Sequence, residues 1–555
     1  MCNTIKRAAA PAAPIARDAW SAQTVWWLVG LWLATVGNLP LWQSVWGMGL
    51  PATALAMGAL VLLLWLALMP LLAWPWTFKP LVVLAVLVCA FNTHFMRTYG
   101  VVIDPSMMAN ALATDAREVR DLLSWSLVGT VLLVAGPAWW LMWRVPVRHP
   151  QGWRSAGQRV SLLLLAVLGL ALVLWLSYAD LASLMRNHKP VRYQINPFNT
   201  VYGLAHLATQ QAPGVAQPLE PVGTDARVVR AAGDKPPLLV LVVGETARAA
   251  NFGLSGYERA TTPALQRWMQ QGQMVYWQQA SSCGTNTHVS VPCMFSPLTG
   301  DQGGDERPRH ENLLDVLQRA GLAVLWLDNQ SGCKGVCDRV PNAPMAQDAD
   351  PRWCQDGECL DEAMLQGLDE RLQALEPARR AQGVVLVLHQ MGSHGPAYFK
   401  RTPADRKPFM PECTNVTLAE CPPDQLHNAY DNTIAYTDHV LDQTLLWLQA
   451  RERDGQYATG LVYASDHGES LGEKGLYLHG APRAFAPSEQ IHVPMLAWYS
   501  PTLAKQLRLD VGCLRQRAHE PVSHDHLFHT TLGVMGVQTQ AHRPELDWQT
   551  PCMAR

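Results

Sequence analysis

The chain has 555 residues and a formal net charge of −2, and only 16% of its residues are charged, whereas 49% are hydrophobic. The near-zero charge gives no reason to expect a nucleic acid partner, because such partners are bound by strongly basic surfaces. The length allows two or more domains, and the apolar composition, with 22 tryptophans, points to a membrane protein.

The apolar residues are concentrated in the first third of the chain, where no Asp, Glu, Lys or Arg occurs between Trp20 and Phe78. A helix needs about 20 apolar residues to cross the hydrocarbon core of a bilayer. The sequence therefore predicts five membrane-spanning helices, at about residues 24–46, 48–73, 81–96, 122–143 and 160–179. Because these segments are long and repeated, none is predicted to be a cleavable signal peptide.

The basic residues of the connecting segments predict the orientation of these helices. Cytoplasmic loops of membrane proteins carry an excess of Lys and Arg. That excess falls on the N-terminal arm and on the second and fourth loops, at Lys6, Arg7, Arg17, Lys79, Arg144, Arg148, Arg154 and Arg159. The N-terminus is therefore expected in the cytoplasm. We expect a transmembrane domain at residues 1–180, an interfacial helix and linker at 181–236, and an extracytoplasmic domain at 237–555.

Two polar stretches are expected on the outer side of the membrane. In the loop at residues 97–121, Asp104 and Pro105 precede an alanine-rich stretch, which predicts a short interfacial helix; a polar connector is the alternative. Residues 193–197 are predicted to form a second interfacial helix. Residues 210–237 contain five prolines and are predicted to be a linker.

From residue 238 onwards, short apolar runs alternate with helical patterns. The runs, at residues 238–243, 323–327, 384–388 and 461–464, are typical of strands buried on both faces of a mostly parallel sheet. Helices are predicted at residues 312–320 and 425–450. The expected architecture of this domain is an α/β sandwich.

Each predicted strand is followed by polar side chains that could meet at one edge of the sheet. The first leads to Glu245, the second to Asp328 and Lys334, the third to His389 and His394, and the fourth to Asp466, His467 and His479. Carboxylates and imidazoles gathered in one place repel or compete unless a cation is present. The sequence therefore predicts a metal centre, in preference to a solvated polar rim.

A nucleophile is expected in the loop between the first two predicted strands. Thr287 lies there, between Cys283 and Cys293. A threonine hydroxyl is a poor nucleophile unless a metal or a base removes its proton, and zinc can do so. Together with Glu245, Asp466 and His467, Thr287 completes the four oxygen and nitrogen ligands that zinc prefers.

Ten of the twelve cysteines lie after residue 280, and most are closely spaced. In an extracytoplasmic domain such spacing predicts disulfides. The expected pairs are Cys283–Cys293, Cys333–Cys337, Cys354–Cys359 and Cys413–Cys421. Zinc binding by Cys333 and Cys337 is the disfavoured alternative. Cys513 and Cys552 form an open fifth possibility, and Cys2 and Cys89 are expected to be reduced.

Five motifs resemble the lipid A phosphoethanolamine transferases, a family that includes the mobile colistin-resistance enzymes and has an alkaline phosphatase/sulfatase-like fold. They are residues 244–248 (GETAR), 283–287 (CGTNT), 292–296 (PCMFS), 389–401 (HQMGSHGPAYFKR) and 465–473 (SDHGESLGE). The resemblance covers essentially the whole chain. It implies a bacterial inner-membrane enzyme with a five-helix transmembrane domain and a periplasmic α/β domain. A monomer is the default expectation, which no motif addresses.

The resemblance also implies a mechanism and a role for each site residue. Thr287 would take phosphoethanolamine from phosphatidylethanolamine, release diacylglycerol and pass the group to a phosphate of lipid A. Zinc would be held by Glu245, Thr287, Asp466 and His467. The phosphoryl group, where a second zinc can bind, would be surrounded by Lys334, His394 and His479. In the outer loop, Asn110 and Thr114 would hold the lipid headgroup.

Three alternatives to this function stay open at the level of sequence. One is transfer of phosphoethanolamine or glycerol phosphate to another envelope glycan, and one is a hydrolase that uses water. The third is a membrane-bound zinc sensor without catalysis, which a missing ligand or nucleophile would favour. A cluster of His524, His526 and His529 is predicted to lie at the surface and at a helix start, in preference to binding metal.

Overall fold

The computed structural model describes most of the chain as two compact units. One unit contains residues up to His94 and Trp125–Val201, and the other contains Phe95–Ser124 and Tyr202 onwards. The first unit thus extends beyond residue 180, and the outer loop belongs to the second. Lys6, Arg7, Arg17, Cys2 and Asp115 lie outside the described residues. The described residues are 19–114, 116–149, 153–211, 219–303, 310–345, 350–355 and 357–554.

The N-terminal part of the chain is helical. Its helices are α1 (Ala22–Thr35), α2 (Leu39–Gly47), α3 (Pro51–Leu72), α4 (Phe78–Thr98), α5 (Pro105–Ala113), α6 (Ala116–Leu122), α7 (Trp125–Val134), α8 (Gly136–Arg144), α9 (Trp153–Asn187) and α10 (Phe198–Gln211). The predicted helix at residues 193–197 is wrong, because a 3₁₀ turn ends at Gln194 and α10 begins only after Pro197.

By length and composition, four described stretches can cross a membrane: Ala22–Gly47, Pro51–Leu72, Phe78–Thr98 and Ser155–Arg186. Helices α7 and α8 meet at an angle of 46° and make a fifth span if they are counted as one. The segment predicted as the fourth crossing is therefore a bent pair. The predicted third crossing is longer than the sequence pattern indicated, since α4 has 21 residues.

Tryptophans and glycines pack the helices of the first unit together. The rings of Trp26 and Trp65 stack with centroids 4.2 Å apart, and each indole N–H donates to the other residue's backbone carbonyl. Gly30 leaves the space that the Trp65 ring occupies. Small residues of this kind let apolar helices approach closely where lipid offers no hydrophobic driving force between helices.

The second unit is built on a mixed seven-stranded sheet. Its strands are β1 (Pro237–Gly244), β2 (Met274–Trp277), β3 (Ala323–Asp328), β4 (Asn342–Pro344), β5 (Val384–His389), β6 (Ala458–Ser465) and β7 (Met495–Tyr499). The spatial order is β2-β7-β6-β1-β5-β3-β4. From β6 to β4 the neighbours are parallel, whereas β7 is antiparallel to both β6 and β2.

Alternation along β1 explains why its sequence is apolar throughout. Leu239, Leu241 and Val243 face one buried core, and the residues between them face a second core on the other side of the sheet. A strand covered on both faces needs apolar side chains at every position. The four predicted strands are present; three are one or two residues longer than predicted, and β6 has eight residues where four were predicted. Strands β2, β4 and β7 were not predicted.

Helices cover both faces of this sheet. They are α11 (Pro263–Gln270), α12 (Thr287–Met294), α13 (Gly300–Gly303), α14 (Leu313–Arg319), α15 (Leu368–Ala374), α16 (Pro377–Arg380), α17 (Pro423–Arg453), α18 (Ser488–Ile491), α19 (Pro501–Leu507), α20 (Val511–Arg517) and α21 (Asp525–Val534). The predicted helices correspond to α14, which begins at a capping box of Asn312 and Asp315, and to α17.

Five disulfides link residues of the second unit. The four predicted pairs are present, together with Cys513–Cys552. Cys89 is buried and free. The Cys283–Cys293 bridge closes the loop that carries Thr287, so it restrains the segment predicted to hold the nucleophile.

Candidate active site

Two neighbouring parallel strands bring the predicted metal ligands together. Ser465 at the end of β6 pairs with Gly244 at the end of β1, so the next residues, Asp466 and Glu245, project from adjacent strand ends. One donor atom each from Glu245, Asp466 and His467 lies within 4.8 Å of the others, and all three residues are fully buried.

Thr287 is the first residue of α12 and points into this cluster. Its Oγ1 lies 3.3 Å from both carboxylate oxygens of Glu245 and 3.4 Å from Nε2 of His467. Asn286 caps the helix by accepting the backbone N–H of Val289 at 3.1 Å. The four predicted ligands therefore form one buried group, with the threonine hydroxyl among them.

The charge of this group fits a divalent cation. Burial and the charge of Glu245 raise the pKa of Asp466 to about 6. Burial acts in the same direction on Glu245, but the hydrogen bond and charge of His467 outweigh it and lower the pKa of Glu245. Oδ2 of Asp466 is 3.3 Å from His467 Nε2, yet it has no hydrogen-bond partner among the described residues. A buried carboxylate oxygen without a partner is costly unless a cation is bound.

Neighbouring groups orient each ligand. Gln330 Nε2 donates to Glu245 Oε2 at 2.9 Å, and Asp466 Oδ1 accepts the backbone N–H groups of Thr246 and His467. His467 Nδ1 lies 2.9 Å from the carbonyl of Gly468. Without a cation, the charged His467 carries a proton on both nitrogens; with a cation in the cluster, Nδ1 keeps the proton that this contact requires and Nε2 presents a lone pair to the ion.

A cleft beside Thr287 contains the remaining predicted residues. Its wall includes Asn110, Thr114, Lys334, His394 and His479. Sequence reasoning missed Ala113, Glu118, Gln330 and Ser331, which line the same cleft. Lys334 is held by Ser331, whose hydroxyl accepts from Nζ at 2.7 Å.

His479 is oriented by a buried carboxylate that the sequence argument did not assign to the site. Its Nδ1 lies 3.1 Å from Glu469 Oε1, and Tyr398 donates its hydroxyl to the other oxygen of Glu469 at 3.0 Å. The ring of His479 lies 4.4 Å from that of His467 and 5.7 Å from that of His394, between centroids. The position of Glu469, two residues after His467 in the sequence, was the signal that could have assigned it to the site.

Backbone strain is concentrated at the same residues. Lys334 has φ +50°, Thr246 next to Glu245 has φ +52°, and Leu478 next to His479 has φ +62°. Positive φ is unfavourable for residues with a Cβ and persists where surrounding contacts hold it, often at functional sites. These three positions therefore direct site side chains at a conformational cost.

Two predicted strand-end residues do not join the cluster. Asp328 and His389 pair with each other, at 3.1 Å between Oδ2 and Nδ1, and Trp326 donates its indole N–H to the same Asp328 oxygen at 2.8 Å. They lie on adjacent strands, β3 and β5, so a pair forms there without a metal.

The predicted surface position of His524 and His529 is wrong, because both are buried. His524 Nδ1 accepts the N–H of Cys283 at 3.2 Å, and its Nε2 donates to the carbonyl of Ser465 at 2.9 Å. Burial lowers the pKa of His524 to about 4, so the ring is neutral. A short parallel pairing of residues 522–523 with residues 280–281 draws His524 inward, and no local sequence pattern announces it. None of the three histidines belongs to a described group that could hold a metal.

Comparisons with known proteins match both parts of the chain. The family model for sulfatases matches residues 237–537, and the model for phosphoethanolamine transferase EptA/EptB matches residues 60–212. The chain is 39% identical over 485 residues to phosphoethanolamine transferase EptA of Salmonella typhimurium, which covers 86% of both proteins. It is 38% identical over 432 residues to phosphatidylethanolamine transferase Mcr-1 of Escherichia coli, which covers 76% of this chain and 78% of that protein.

A solved structure matches nearly the full chain. It is the integral membrane protein lipooligosaccharide phosphoethanolamine transferase A (EptA) from Neisseria meningitidis, at a TM-score of 0.90 and 33% identity. The match covers 97% of this chain and 100% of that one. The membrane helices and the sulfatase-like unit thus occur together in a relative.

Proposed function

Because this chain is a transferase of the phosphoethanolamine transferase EptA/EptB family, we propose that it moves phosphoethanolamine from phosphatidylethanolamine to a phosphate of lipid A. The donor is supported by the relative named phosphatidylethanolamine transferase, and a glycolipid acceptor by the relative named lipooligosaccharide phosphoethanolamine transferase. The observation that carries the proposal is the placement of Thr287 Oγ1 within 3.4 Å of both Glu245 and His467.

Zinc is the metal that this donor set fits best. Glu245, Thr287 and Asp466 offer oxygen and His467 offers nitrogen, which makes four ligands of the types that zinc accepts. When bound, zinc lowers the pKa of a coordinated hydroxyl and polarises a phosphoryl oxygen. A second ion beside His394 and His479 is part of the same proposal.

Transfer proceeds in two displacements at phosphorus. In the first, Thr287 gives its hydroxyl proton to the carboxylate of Glu245, 3.3 Å away, as Oγ1 bonds to the phosphorus of the donor and the bond from phosphorus to the diacylglycerol oxygen breaks. That oxygen takes a proton, which we assign to His479 because Glu469 fixes its ring beside the cleft. Diacylglycerol leaves, and phosphoethanolamine remains on Thr287.

In the second displacement, an oxygen of the lipid A phosphate bonds to the same phosphorus, and the bond to Thr287 breaks. The threonine oxygen takes its proton back from Glu245, and the proton of the acceptor phosphate passes to His479, which restores both groups. Lys334, His394 and His479 surround the transferred phosphoryl group and offset its negative charge in both steps. On the outer-loop side of the cleft, Asn110 and Thr114 hold the ethanolamine headgroup.

We propose the bacterial inner membrane as the location, with the N-terminus in the cytoplasm and the catalytic unit in the periplasm. The apolar helices support insertion into a membrane, and the five disulfides support an oxidising compartment. We propose that a single copy of the chain is the active species.

The deciding experiment uses the full-length protein, phosphatidylethanolamine and no acceptor. We expect release of diacylglycerol and a mass increase of one phosphoethanolamine group on the peptide that contains Thr287. Adding lipid A should then discharge the enzyme and yield modified lipid A. A modified residue other than Thr287, or transfer without any modified enzyme, would exclude the covalent route. Lipid A that stays unmodified while the enzyme is charged would point to another envelope glycan.

A further inference from the structure

A buried arginine connects the outer-loop helices to the catalytic centre. The guanidinium of Arg401 donates in three directions: to Asp121 Oδ2 at 2.6 Å, to Glu358 Oε2 at 3.0 Å, and to the backbone carbonyl of His394 at 3.0 Å. Arg401 is only 6% exposed. One side chain therefore contacts helix α6, the hairpin closed by the Cys354–Cys359 disulfide and the loop that carries His394.

Asp121 is the acceptor that ties α6 to this arginine. Asp121 is 3% exposed, and its carboxylate also accepts from Lys400 Nζ. Two cations, Lys400 and Arg401, thus face two carboxylates, Asp121 and Glu358, in a mostly buried group. Because a buried carboxylate is costly without a partner, this pairing restricts where the end of α6 can lie.

The other end of the outer segment is attached as well. Tyr477 donates its N–H to the carbonyl of Tyr99 at 2.8 Å. The methyl group of Met107, on α5, fills the space beside Gly480, where φ is +85° and a Cβ would lie 2.1 Å from it. The cleft wall that contains Asn110 and Thr114 is therefore held between two attachments, at Tyr99 and at Asp121.

We infer that Asp121 and Arg401 are positioning residues for the donor lipid. Their ion pair holds the end of α6, and with it the wall that contains Asn110 and Thr114, in the cleft that Thr287 also lines. Arg401 also fixes the backbone at His394 on the opposite wall. The inference rests on the proposed function, since it requires a headgroup bound between these walls.

Three variants of the full-length protein in detergent separate the contacts of Arg401. Asp121→Asn keeps the shape of the side chain but removes the charge that docks α6. Glu358→Gln is the matched control, because it removes a carboxylate from the same guanidinium without touching the outer segment. Arg401→Lys retains a positive charge and loses the bond to the carbonyl of His394.

Diacylglycerol release at varied phosphatidylethanolamine concentration is the first measurement. Headgroup contacts made equally in the ground and transition states affect KM alone, so Asp121→Asn should raise KM about tenfold and leave kcat within about twofold. Glu358→Gln should leave both constants near those of the wild type. Arg401→Lys should raise KM and also lower kcat, because His394 loses its support.

Hydrogen exchange of residues 105–122 is the second measurement, and it does not depend on activity. Exchange should be faster in Asp121→Asn than in the wild type and unchanged in Glu358→Gln. Unchanged KM and unchanged exchange in Asp121→Asn would overturn the inference, as would equal effects in Glu358→Gln. If the wild type releases no diacylglycerol, the proposed function fails, and the exchange pattern still decides whether Asp121 docks the wall. If Asp121→Asn does not fold, Lys400→Met should show the same effects at smaller size. An unchanged KM and unchanged exchange in Lys400→Met would then overturn the inference.

Discussion

Thr287 Oγ1 lies 3.3 Å from each carboxylate oxygen of Glu245, although 42 residues separate them in the chain. The contact puts a hydroxyl beside a buried carboxylate and His467 Nε2, in a group that can hold a metal. A hydroxyl alone is almost fully protonated at neutral pH, so its placement in this group is what makes it a credible nucleophile.

Replacing Thr287 should remove the transfer reaction and preserve the fold. Thr287→Ala should lower the rate of diacylglycerol release by about a thousandfold or more, because no other group accepts the phosphoryl group. Thr287→Ser should keep part of the activity, since the hydroxyl remains. Thermal unfolding in detergent should show all three proteins folded, and full activity in Thr287→Ala would contradict the mechanism.

Removing a ligand should release the metal. Glu245→Ala or Asp466→Ala leaves three donors, so both metal content and activity should be lost together. Gln330→Leu removes the donor to Glu245 at 2.9 Å and leaves the ligand itself. Loss of such a supporting contact typically costs 10–100-fold in metal affinity or activity, so we expect about that range. Metal content measured by mass spectrometry, together with zinc titration, tests whether the ligand variants lose more metal than Gln330→Leu. A wild-type zinc affinity in Gln330→Leu would show that its contact with Glu245 plays no part in metal binding.

His524 should matter for the rate beyond its effect on stability. His524 joins the loop that carries Thr287 to the end of β6, because it bonds to the N–H of Cys283 and to the carbonyl of Ser465. His524→Ala leaves both of these backbone groups unpaired. Unsatisfied buried groups cost about 1–3 kcal/mol. The matched control is His529→Ala, another buried histidine of the same segment, which accepts the N–H of Arg543 at 3.1 Å.

Both variants should lose stability in thermal unfolding. Only His524→Ala should also lower kcat, by about tenfold, because only there does the position of Thr287 change relative to Asp466. Equal kcat in the two variants would show that His524 is structural and nothing more.

Stability should fall in mild acid in part because of His529. Burial, with the charges of His542 and Arg543, lowers the pKa of His529 to about 4 from its ordinary 6.5. The unfolded chain therefore binds more protons between these values, so this group's contribution to stability is present above pH 6.5 and is lost as pH falls towards 4. His529→Asn keeps an acceptor for Arg543 and cannot ionise. Its unfolding temperature should drop less than that of the wild type between pH 7.5 and 5, and equal drops would refute the assignment.

Reporter fusions test the orientation. A reporter fused after Arg555 should be active only in the periplasm, and one inserted among the basic residues 144–159 should be active only in the cytoplasm. The prediction requires an odd number of crossings, so the bent pair α7–α8 has to act as one span. Cytoplasmic activity at Arg555 would contradict both the orientation and the oxidising compartment that the disulfides imply.

Local patterns in the sequence were enough to predict that Glu245, Asp466 and His467 lie together. Glu245, Asp466 and His467 follow uninterrupted apolar runs, and such runs become strands buried on both faces whose ends meet at one edge. The strands β2 and β7 were not predicted because a short apolar run cannot be told from another buried segment by its pattern alone, and β4 was not predicted because Asn342–Pro344 has no apolar pattern. The 46° bend between α7 and α8 also leaves no trace in a hydropathy profile.

The sequence by itself determined the apolar membrane segments, the α/β unit, four of the five cysteine pairs and the three residues around Thr287, because periodicity, spacing and motif order are properties of neighbouring residues. Only the tertiary structure decided that His524 joins Cys283 to Ser465, that Asp328 pairs with His389 away from the metal group, and that Asp121 meets Arg401. Those contacts join residues that are between 59 and 280 positions apart in the chain. Burial, which makes an unpaired polar group costly, selects such partners, and burial is known only once the chain has folded.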